Sequence, residues 1–451
     1  MGILQDALPG LKRFLGPANL KSAVVELVIR CVVAFVMHTG RMGAVRAAGA
    51  VRLRPRHRAQ IGRFLERKYW SKLLLLDTLR NETLSTVRSR GRYLFIVDQT
   101  LCSRQGRKVE NTFSTGNHRR RPRKGRRHSK YRHCKKSCHC FVMGLLITPS
   151  GVRIPYSKSF HTRAYCKQKQ RPYRKQTELA AELITELPEA LDVVVLGDTA
   201  FDAKTIRTAC AERGWPWVVP VNSERVLSGK KPRRKVRSLV ARLSGNQFRR
   251  VRLHLGRGKY AAQRRVSRYR IGPKAKPRTF YVHGERRAVQ SVGDVLLVFS
   301  TKRKPQKTGA AEVEKILMTN DPNLKPAEVV ELYDLRWQIE LFFKELKSTL
   351  GLHQYRFAQF ERVEHWVELV LVTFLYLEQY RLQQLRRRDL RKKEKRRWQW
   401  QRTHGLCLAV QQAAEREDLR FLQKSLKTPS GRRRLQQKLA AAVQCEYRAA
   451  G

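Results

Sequence analysis

The sequence predicts an α/β protein, because apolar runs typical of buried strands alternate along it with helical patterns. Two such runs are RYLFIVDQT, from Arg92, and DVVVLGD, which ends at Asp198. A helical pattern (residues 175–191) precedes the second run. A second helical pattern (residues 202–212) and the apolar run PWVVPV (residues 216–221) follow it. This alternation indicates a core whose strands pair in parallel.

The remaining elements flank this core. CFVMGLLITPSGVRIPYSKSF predicts two strands joined at Pro149–Gly151. FRRVRLHL, RTFYVHG and DVLLVFST lack a helical period and predict a mostly β insertion, after which helix returns at Pro326. The predicted division is a helical domain over 1–90, the first part of the core over 91–221, the β insertion over 222–309, the rest of the core over 310–356, and a basic helical C-terminal region over 357–451.

The charge of the chain predicts a polyanionic partner. Its 451 residues contain 96 Lys and Arg against 36 Asp and Glu, a formal net charge of +60. Nucleic acid fits best, because each cation placed on a phosphate releases condensed counterions. A ribosomal or architectural protein would satisfy the same charge. The longest apolar stretch, Ala23–Met37, is too short and too charged to span a membrane. The nine unevenly spaced cysteines, an odd number in a large basic chain, indicate reduced thiols, so we expect a cytoplasmic protein.

Three segments are candidates for ligand binding outside the core. The turn HTGRMG (His38–Gly43) is compatible with a helix-turn-helix, although glycine turns between short helices are common. The run His118–Lys136 predicts a basic arm that binds DNA. HCKKSCHC (His133–Cys140) offers ligand types for zinc but lacks a Cys-x2-Cys pair, so we favour a core role for Cys140. The DNA-binding candidates in the arm are Arg119, Arg120, Arg121, Arg126 and Arg127.

Three carboxylates are the candidate catalytic residues. Asp98 and Asp198 are expected to close strands, and Glu340 stands on the helix after the β insertion. Strand ends in an open α/β sheet converge on one edge, where sites are built. Acids brought together there repel one another unless hard divalent cations, Mg²⁺ first, lie between them. Two such ions can activate a nucleophile and stabilise the leaving oxygen at a phosphodiester; Asp202 is the nearest competitor to Asp198.

The stretch YDLRWQIELFFKELKSTLG, from Tyr333 to Gly351, predicts one helix with two different faces. At about 100° per residue, its polar signature residues fall within an arc of roughly 60°. Apolar residues occupy the opposite side, which we expect to pack against the core. The polar face consists of Tyr333, Arg336, Glu340 and Lys347, and the apolar face of Leu335, Ile339, Phe342 and Leu346.

The spacing Tyr333-x2-Arg336-x3-Glu340-x6-Lys347 resembles the C-terminal signature of bacterial insertion-sequence transposases of the DDE type, which have an RNase H-like catalytic core. VDQT at Asp98 and LGDTAFD at Asp198 are similar to the other two acidic motifs of that family, and its members also carry a β insertion before the Glu helix. The resemblance covers roughly residues 92 to 350. It implies that the helical domain over 1–90 binds the DNA ends, that the RNase H-like α/β core is split by the β insertion, and that the C-terminal region is helical and basic.

The resemblance also implies an activity and its partners. Asp98, Asp198 and Glu340 would bind two Mg²⁺ ions, with Mn²⁺ as a substitute, while Tyr333, Arg336 and Lys347 would hold phosphates of the element end. The protein would cut the terminal inverted repeats of its own element and join them to target DNA, as a dimer, in a bacterial or archaeal cytoplasm at the nucleoid. Two rivals stay open: a metal-dependent nuclease with the same core, and a catalytically decayed DNA-binding protein.

Relatives with this signature often form a DNA hairpin and stack a flipped base on a Trp of the insertion. No Trp lies between residues 222 and 309 of this chain, so a hairpin step would need another ring. Tyr260, in the basic and Gly-containing run GRGKYAAQ, is the candidate for base stacking. The other aromatic residues weighed are Tyr269, Phe280 and Tyr281, and we expect Phe280 and Tyr281 to straddle a strand.

Overall fold

A computed structural model describes most of the core and parts of the flanking regions. The arginines of the basic arm (Arg119–Arg127), the turn His38–Gly43, His133, Cys134 and Tyr260 lie outside the described residues. The described residues are 10–37, 62–66, 74–87, 91–104, 108–115, 136–229, 234–253, 278–306, 312–399, 401–433 and 435–437.

One mixed sheet forms the centre of the molecule. Its order is β2-β3-β1-β5-β6-β10-β9-β8-β7, and β4 pairs with β3 beside β2. The central strands β1, β5 and β6 pair in parallel, as predicted. The strands are β1 (Tyr93–Arg104), β2 (Phe113–Thr115), β3 (Lys136–Ile147), β4 (Arg153–Ser159), β5 (Val193–Leu196), β6 (Trp217–Pro220), β7 (Arg249–Leu253), β8 (Arg278–Val289), β9 (Gly293–Thr301) and β10 (Lys315–Thr319).

Helices cover the sheet and follow the predicted order. They confirm the alternation of strands and helices between β4 and β6 and the helical character of the described flanking regions. The helices are α1 (Leu11–Leu15), α2 (Ser22–Met37), α3 (Leu75–Val87), α4 (Arg163–Gln168), α5 (Gln176–Thr185), α6 (Lys204–Glu212), α7 (Val236–Val240), α8 (Pro326–Asp334), α9 (Trp337–Ser348), α10 (Phe360–Arg386), α11 (Lys392–Gln399) and α12 (Thr403–Lys427).

β1 extends well past the predicted strand end. The sequence predicts that Asp98 closes this strand, and that expectation is wrong, because β1 continues to Arg104. The partner strand β3 explains the extension: the two strands stay in register from Leu94 opposite Ile147 to Arg104 opposite Ser137, which satisfies the backbone groups of the extra residues. Asp98 therefore lies inside a strand on the β3 side, but beyond the last residue of β5 on the other side.

The strands predicted for the insertion continue the central sheet. β7, β8 and β9 form an antiparallel meander that joins β6 through β10. β10 was not predicted; its four-residue apolar run, ILMT, follows three Lys or Glu residues within five positions. Gly284 of β8 lets this meander approach α8, since a Cβ at this position would lie 2.4 Å from Cγ of Pro326. Phe280 is buried and Tyr281 is half-buried, as expected for neighbours on one strand.

The long helix α10 contacts described helices from both the N-terminal and the C-terminal regions. It packs against α2, α3, α12 and β4. Its middle residues are almost all buried, and its Glu378 forms ion pairs with Arg153 of β4 and with Arg381 one turn later. No helix in the part of the chain that the structure describes has the length and apolar character of a membrane span.

Candidate active site

The sheet register places Asp98 and Asp198 side by side. In the parallel pair β1 and β5, Ile96 lies opposite Leu196, and each acid follows two residues later. Because side chains alternate along a strand, both acids emerge on the same face and at the same level of the sheet. Asp198 has left β5 and caps a single helical turn, where one carboxylate oxygen accepts hydrogen bonds from the N–H groups of Ala200 (2.8 Å) and Phe201 (3.3 Å).

Arg336 connects the third acid to this pair. α9 packs against β1, and Arg336 stands at its N-terminus. One guanidinium nitrogen lies 3.2 Å from Asp98 Oδ2, and the other donates to Glu340 Oε1. A single cation therefore bridges Asp98 and Glu340, and all three predicted acids gather at the carboxyl end of the parallel strands.

The helix that carries Glu340 is interrupted, which corrects the expectation of one continuous helix. α8 ends at Asp334 and α9 begins at Trp337. Between them, the N–H groups of Arg336, Gln338 and Ile339 donate to carbonyls three residues earlier, a tighter turn than in an α-helix. No Pro or Gly occurs between residues 327 and 350, so the sequence holds no signal for this break. The expected apolar face is confirmed, because Leu335, Ile339, Phe342 and Leu346 are buried.

The electrostatics of Asp98 show that the acids interact. The pKa of its carboxyl is raised from 3.8 to about 6, chiefly by burial and next by the negative charge of Asp198, with a further contribution from Glu340. The N–H of Gln99, 2.7 Å from Asp98 Oδ1, and the charge of Arg336 both lower the pKa. Additional positive charge at this point would stabilise the ionised form.

Asp202, the competitor of Asp198, has other partners. Its side chain is only 7% exposed and forms ion pairs with Arg207 and with Arg225, the latter at 3.1 Å. Two arginines already neutralise this carboxylate. Asp198, whose second oxygen is not engaged by the capping bonds of its own turn, is the better placed of the two.

The other signature residues surround the acids at different depths. Lys347 is half-buried, and its ammonium donates to the carbonyl of Leu101, three residues beyond Asp98 on β1, at 2.9 Å. Tyr333 is buried, with 8% exposure, rather than presented to solvent. The ammonium of Lys315 lies 4.6 Å from the centre of its ring. Sequence reasoning missed Lys315, because it begins the unpredicted strand β10.

A cavity of about 150 Å³ opens beside Tyr333, on the insertion side of the acids. Three cationic side chains, those of Arg278, Lys302 and Lys315, contribute to its walls together with Phe280. Arg278 and Phe280 lie on β8, Lys302 directly follows β9, and Lys315 begins β10. The acids Glu314 and Asp334 also line the cavity, and Glu314 forms an ion pair with Lys302, so the wall is of mixed charge.

The donor set fits a hard divalent cation. Oxygen ligands from carboxylates are what Mg²⁺ and Mn²⁺ prefer, and the raised pKa of Asp98 marks a place where positive charge is favoured. Among the described residues, no three His, Cys, Asp or Glu side chains stand close enough together to hold a metal ion. In the structure the positive charge between Asp98 and Glu340 is the guanidinium of Arg336, and a cation bound by these carboxylates would have to replace it.

The described part of the Cys/His cluster belongs to the core. Cys140 is 1% exposed, as expected, and Cys138 is also buried. His139 is fully buried, with one ring nitrogen 2.8 Å from the hydroxyl of Tyr355 and the other 2.8 Å from the carbonyl of Glu110. Both nitrogens are thus engaged within the protein.

A comparison with known protein families identifies the same region of the chain as the geometry does. A family model described as the transposase DDE domain matches residues 89–377, well over half of the 451 residues. No curated protein gives a significant match. The matched region begins just before β1, contains all three acids and ends within α10, and the family implies an RNase H-like core. The chain belongs to the transposase DDE domain family.

Proposed function

We propose that this protein is a cut-and-paste DNA transposase, which cleaves the ends of its own element and joins the 3′-hydroxyls to target DNA. The observation that carries the proposal is the gathering of Asp98, Asp198 and Glu340 at one edge of the sheet, with a raised pKa at Asp98. Such an arrangement costs stability and is retained where a site needs it.

Asp98, Asp198 and Glu340 are the proposed metal ligands, for two Mg²⁺ ions or for Mn²⁺ in their place. When bound, these ions would activate the attacking water or 3′-hydroxyl and stabilise the leaving oxygen of the phosphodiester. The chain contributes a fixed geometry, because two of the ligands are held by adjacent strands and the third by a helix packed on the first strand.

The basic signature residues hold the DNA backbone in this proposal. Arg336 neutralises Asp98 and Glu340 in the absence of cations, and its planar guanidinium can turn to donate two hydrogen bonds to a phosphate. Lys347 stands beside Leu101 as a point charge at the same edge. Tyr333 would donate through its hydroxyl after a local adjustment, because its side chain is buried.

Other contacts are proposed from the sequence. The basic arm, with Arg119, Arg120, Arg121, Arg126 and Arg127, would bind phosphates around the terminal inverted repeats, and Tyr260 would stack on a flipped base if a hairpin forms. A dimer would bridge the two element ends. The setting would be the cytoplasm of a bacterium or archaeon, with the nucleoid as the source of target DNA.

The decisive experiment replaces each proposed ligand by its neutral isostere. We expect Asp98→Asn, Asp198→Asn and Glu340→Gln each to lower cleavage of element-end DNA by at least about a thousandfold, because each removes a charged metal ligand. DNA affinity in a gel-shift assay should change by less than about threefold, since no phosphate contact is lost. Activity should require Mg²⁺ or Mn²⁺ and disappear with a chelator.

Glu189→Gln is the matched control, because the Glu189 side chain is 85% exposed and precedes β5, whereas Asp198 follows that strand. An isostere that cleaves at the wild-type rate shows that its acid is not a ligand. A wild-type protein that cleaves ends without joining them to a second DNA is a nuclease, and one that binds without cleaving under any divalent ion is a decayed DNA-binding protein.

A further inference from the structure

An open groove of about 500 Å³ lies at the edge of the sheet next to β4, outside the catalytic acids. Three aromatic rings from separate segments meet in it. Phe113 and Phe160 pack edge to face with centroids 5.9 Å apart, and Phe160 packs edge to face on Tyr173 at 6.2 Å. Arg163, Lys175 and Gln176 complete its polar side.

Hydrogen bonds fix the walls of this groove. Asn111 is buried, and its side chain donates to the carbonyl of Phe160 (2.9 Å) and accepts from the N–H of Thr162 (2.8 Å). Thr162 in turn caps α4 by accepting from the N–H of Tyr165. The turn after β4 is therefore held in one conformation, and the groove is pre-formed rather than made by a loose loop.

The chemistry of the groove is cationic and aromatic. Residues 163–175 contain six Lys or Arg and no Asp or Glu. Tyr173 is 37% exposed, an unusual degree for a large aromatic side chain among those whose burial the structure describes. The guanidinium of Arg163 lies 5.0 Å from the centre of the Tyr173 ring. An exposed ring flanked by cations is the pattern that binds unpaired nucleotides, because bases stack on the ring while cations bind phosphates.

The sheet register places the groove toward the same strand ends that the acids follow. Thr100 of β1 lies opposite Phe141 of β3, which lies opposite Ser159 at the end of β4. Asp98 itself lies opposite Met143, which lies opposite Ser157. Phe160 is therefore three residues, or about 10 Å, beyond the level of Asp98, and two strands, or about 10 Å, away across the sheet. Gln176 reaches back through Cys140 to Gln99, the neighbour of Asp98.

We infer that this groove binds an unpaired segment of the DNA strand that passes the catalytic acids, with one base stacked on Tyr173 and phosphates on Arg163 and Lys175. The ligand class rests on the proposed function, because the DNA at the acids is what brings a strand to this edge. The site itself stands on the groove's own residues, none of which belongs to the proposed catalytic set.

The test uses the full chain and an oligothymidylate containing 5-iododeoxyuridine, in chelator so that no cleavage occurs. We expect ultraviolet crosslinks at the peptide that contains Tyr173. At raised salt, which suppresses contacts elsewhere on this basic protein, Tyr173→Ala should weaken binding about 5- to 100-fold, and Tyr173→Phe, which keeps the stacking ring, by less than about 2-fold. A fully duplex DNA of equal length should not respond to Tyr173→Ala.

Charge variants supply the matched comparison. Arg163→Ala should reduce the slope of log affinity against log salt by about 0.7, the value for one phosphate contact on a single strand, and Lys167→Ala, in the same segment but outside the groove, should leave it unchanged. The inference is overturned by crosslinks that map only to other segments, by Tyr173→Ala binding as tightly as wild type, or by an equal loss on duplex DNA. If the groove binds single-stranded DNA but the protein does not cleave element ends, only the proposed transposition is contradicted. If the protein cleaves element ends but Tyr173→Ala binds single-stranded DNA as tightly as wild type, only the groove is contradicted.

Discussion

At the scale of single residues, Asp98 is under opposing influences. Burial and two neighbouring acids oppose its ionisation, while Arg336 and the N–H of Gln99 favour it. The sequence could predict the three acids from their positions near strand ends and on a helix. It could not predict the ion pair between Arg336 and Asp98, because these residues are 238 positions apart and meet only when α9 packs on β1.

The raised pKa of Asp98 predicts how metal binding depends on pH. A proton must leave this carboxyl before it can act as a ligand, so below its pKa of about 6 the apparent affinity for Mn²⁺ should fall, approaching tenfold per pH unit. Above that pH the affinity should level off. Calorimetric titration of the DNA-free protein with Mn²⁺ measures this affinity. An affinity that stays constant between about pH 7 and about pH 5 contradicts the raised pKa of Asp98.

Glu368 of α10 predicts a separate pH effect on stability. Burial raises the pKa of its carboxyl to about 7, although the N–H of Leu76 donates to it. Because the folded pKa lies above the unfolded value of 4.5, stability is full below 4.5 and declines as pH rises through 7. Glu368→Gln should therefore raise the free energy of unfolding by about 1 kcal/mol at pH 8, a modest gain since the carboxyl lines an open pocket.

The gain from Glu368→Gln should vanish at pH 4, where both side chains are neutral. Urea unfolding at the two pH values tests this. Glu361→Gln, with a 49% exposed side chain on the same helix, is the control and should give no pH-dependent gain. A Glu368→Gln protein that is no more stable than wild type at pH 8 contradicts the assigned pKa.

At the scale of elements, most strands and helices followed from periodicity, whereas the strand β10 and the ends and interruptions of several elements did not. β1 is longer than predicted because β3 supplies hydrogen-bond partners for the extra residues. The break between α8 and α9 occurs without a Pro or Gly. Both departures lie at the candidate site. The length of β1 and the position of the break depend on pairing and packing with elements distant in sequence, which a local sequence pattern cannot show.

The contact between β8 and α8 predicts a sensitive position. Gly284→Ala should lower the free energy of unfolding by about 1 to 3 kcal/mol, because the new methyl would lie 2.4 Å from the ring of Pro326 and force the meander away from α8. Gly16→Ala is the matched control, since no atom lies within 4 Å of its Cβ. Urea denaturation compares the two, and equal stability would mean that the meander moves without cost.

At the scale of the whole molecule, a buried ionic network connects the sheet, the Glu340 helix and the C-terminal helices. Arg153 of β4 contacts Glu345 of α9 at 2.8 Å and Glu378 of α10 at 2.6 Å. Arg402 and Thr403, at the start of α12, also bond to Glu345. Helical periodicity could predict the helices, but it could not predict that these charges from four elements meet.

The network predicts a large loss of stability when one member is removed. Glu378→Ala should lower the free energy of unfolding by about 3 to 5 kcal/mol, because Arg153 and Arg381 would stay buried without their shared carboxylate. Arg153 and Arg381 also hold the pKa of Glu378 down to about 2 despite its burial, so this contribution should be full above the unfolded pKa of 4.5 and be lost progressively as pH falls from there through 2. The exposed Glu361→Ala serves as control and should change stability by less than about 0.5 kcal/mol, while a Glu378→Ala loss of similar size would contradict the network.

The network also has a consequence for protein engineering. The family match stops at residue 377, one position before Glu378, so a catalytic fragment trimmed to that boundary would discard the carboxylate that neutralises Arg153. Arg153 would keep only Glu345, which would itself lose its other partners, Arg402 and Thr403. A chimera that exchanges the C-terminal helices with those of another family member must therefore transfer these polar partners as a set, because Arg153 and Glu345 would otherwise lose them and the helix that carries Glu340 would shift.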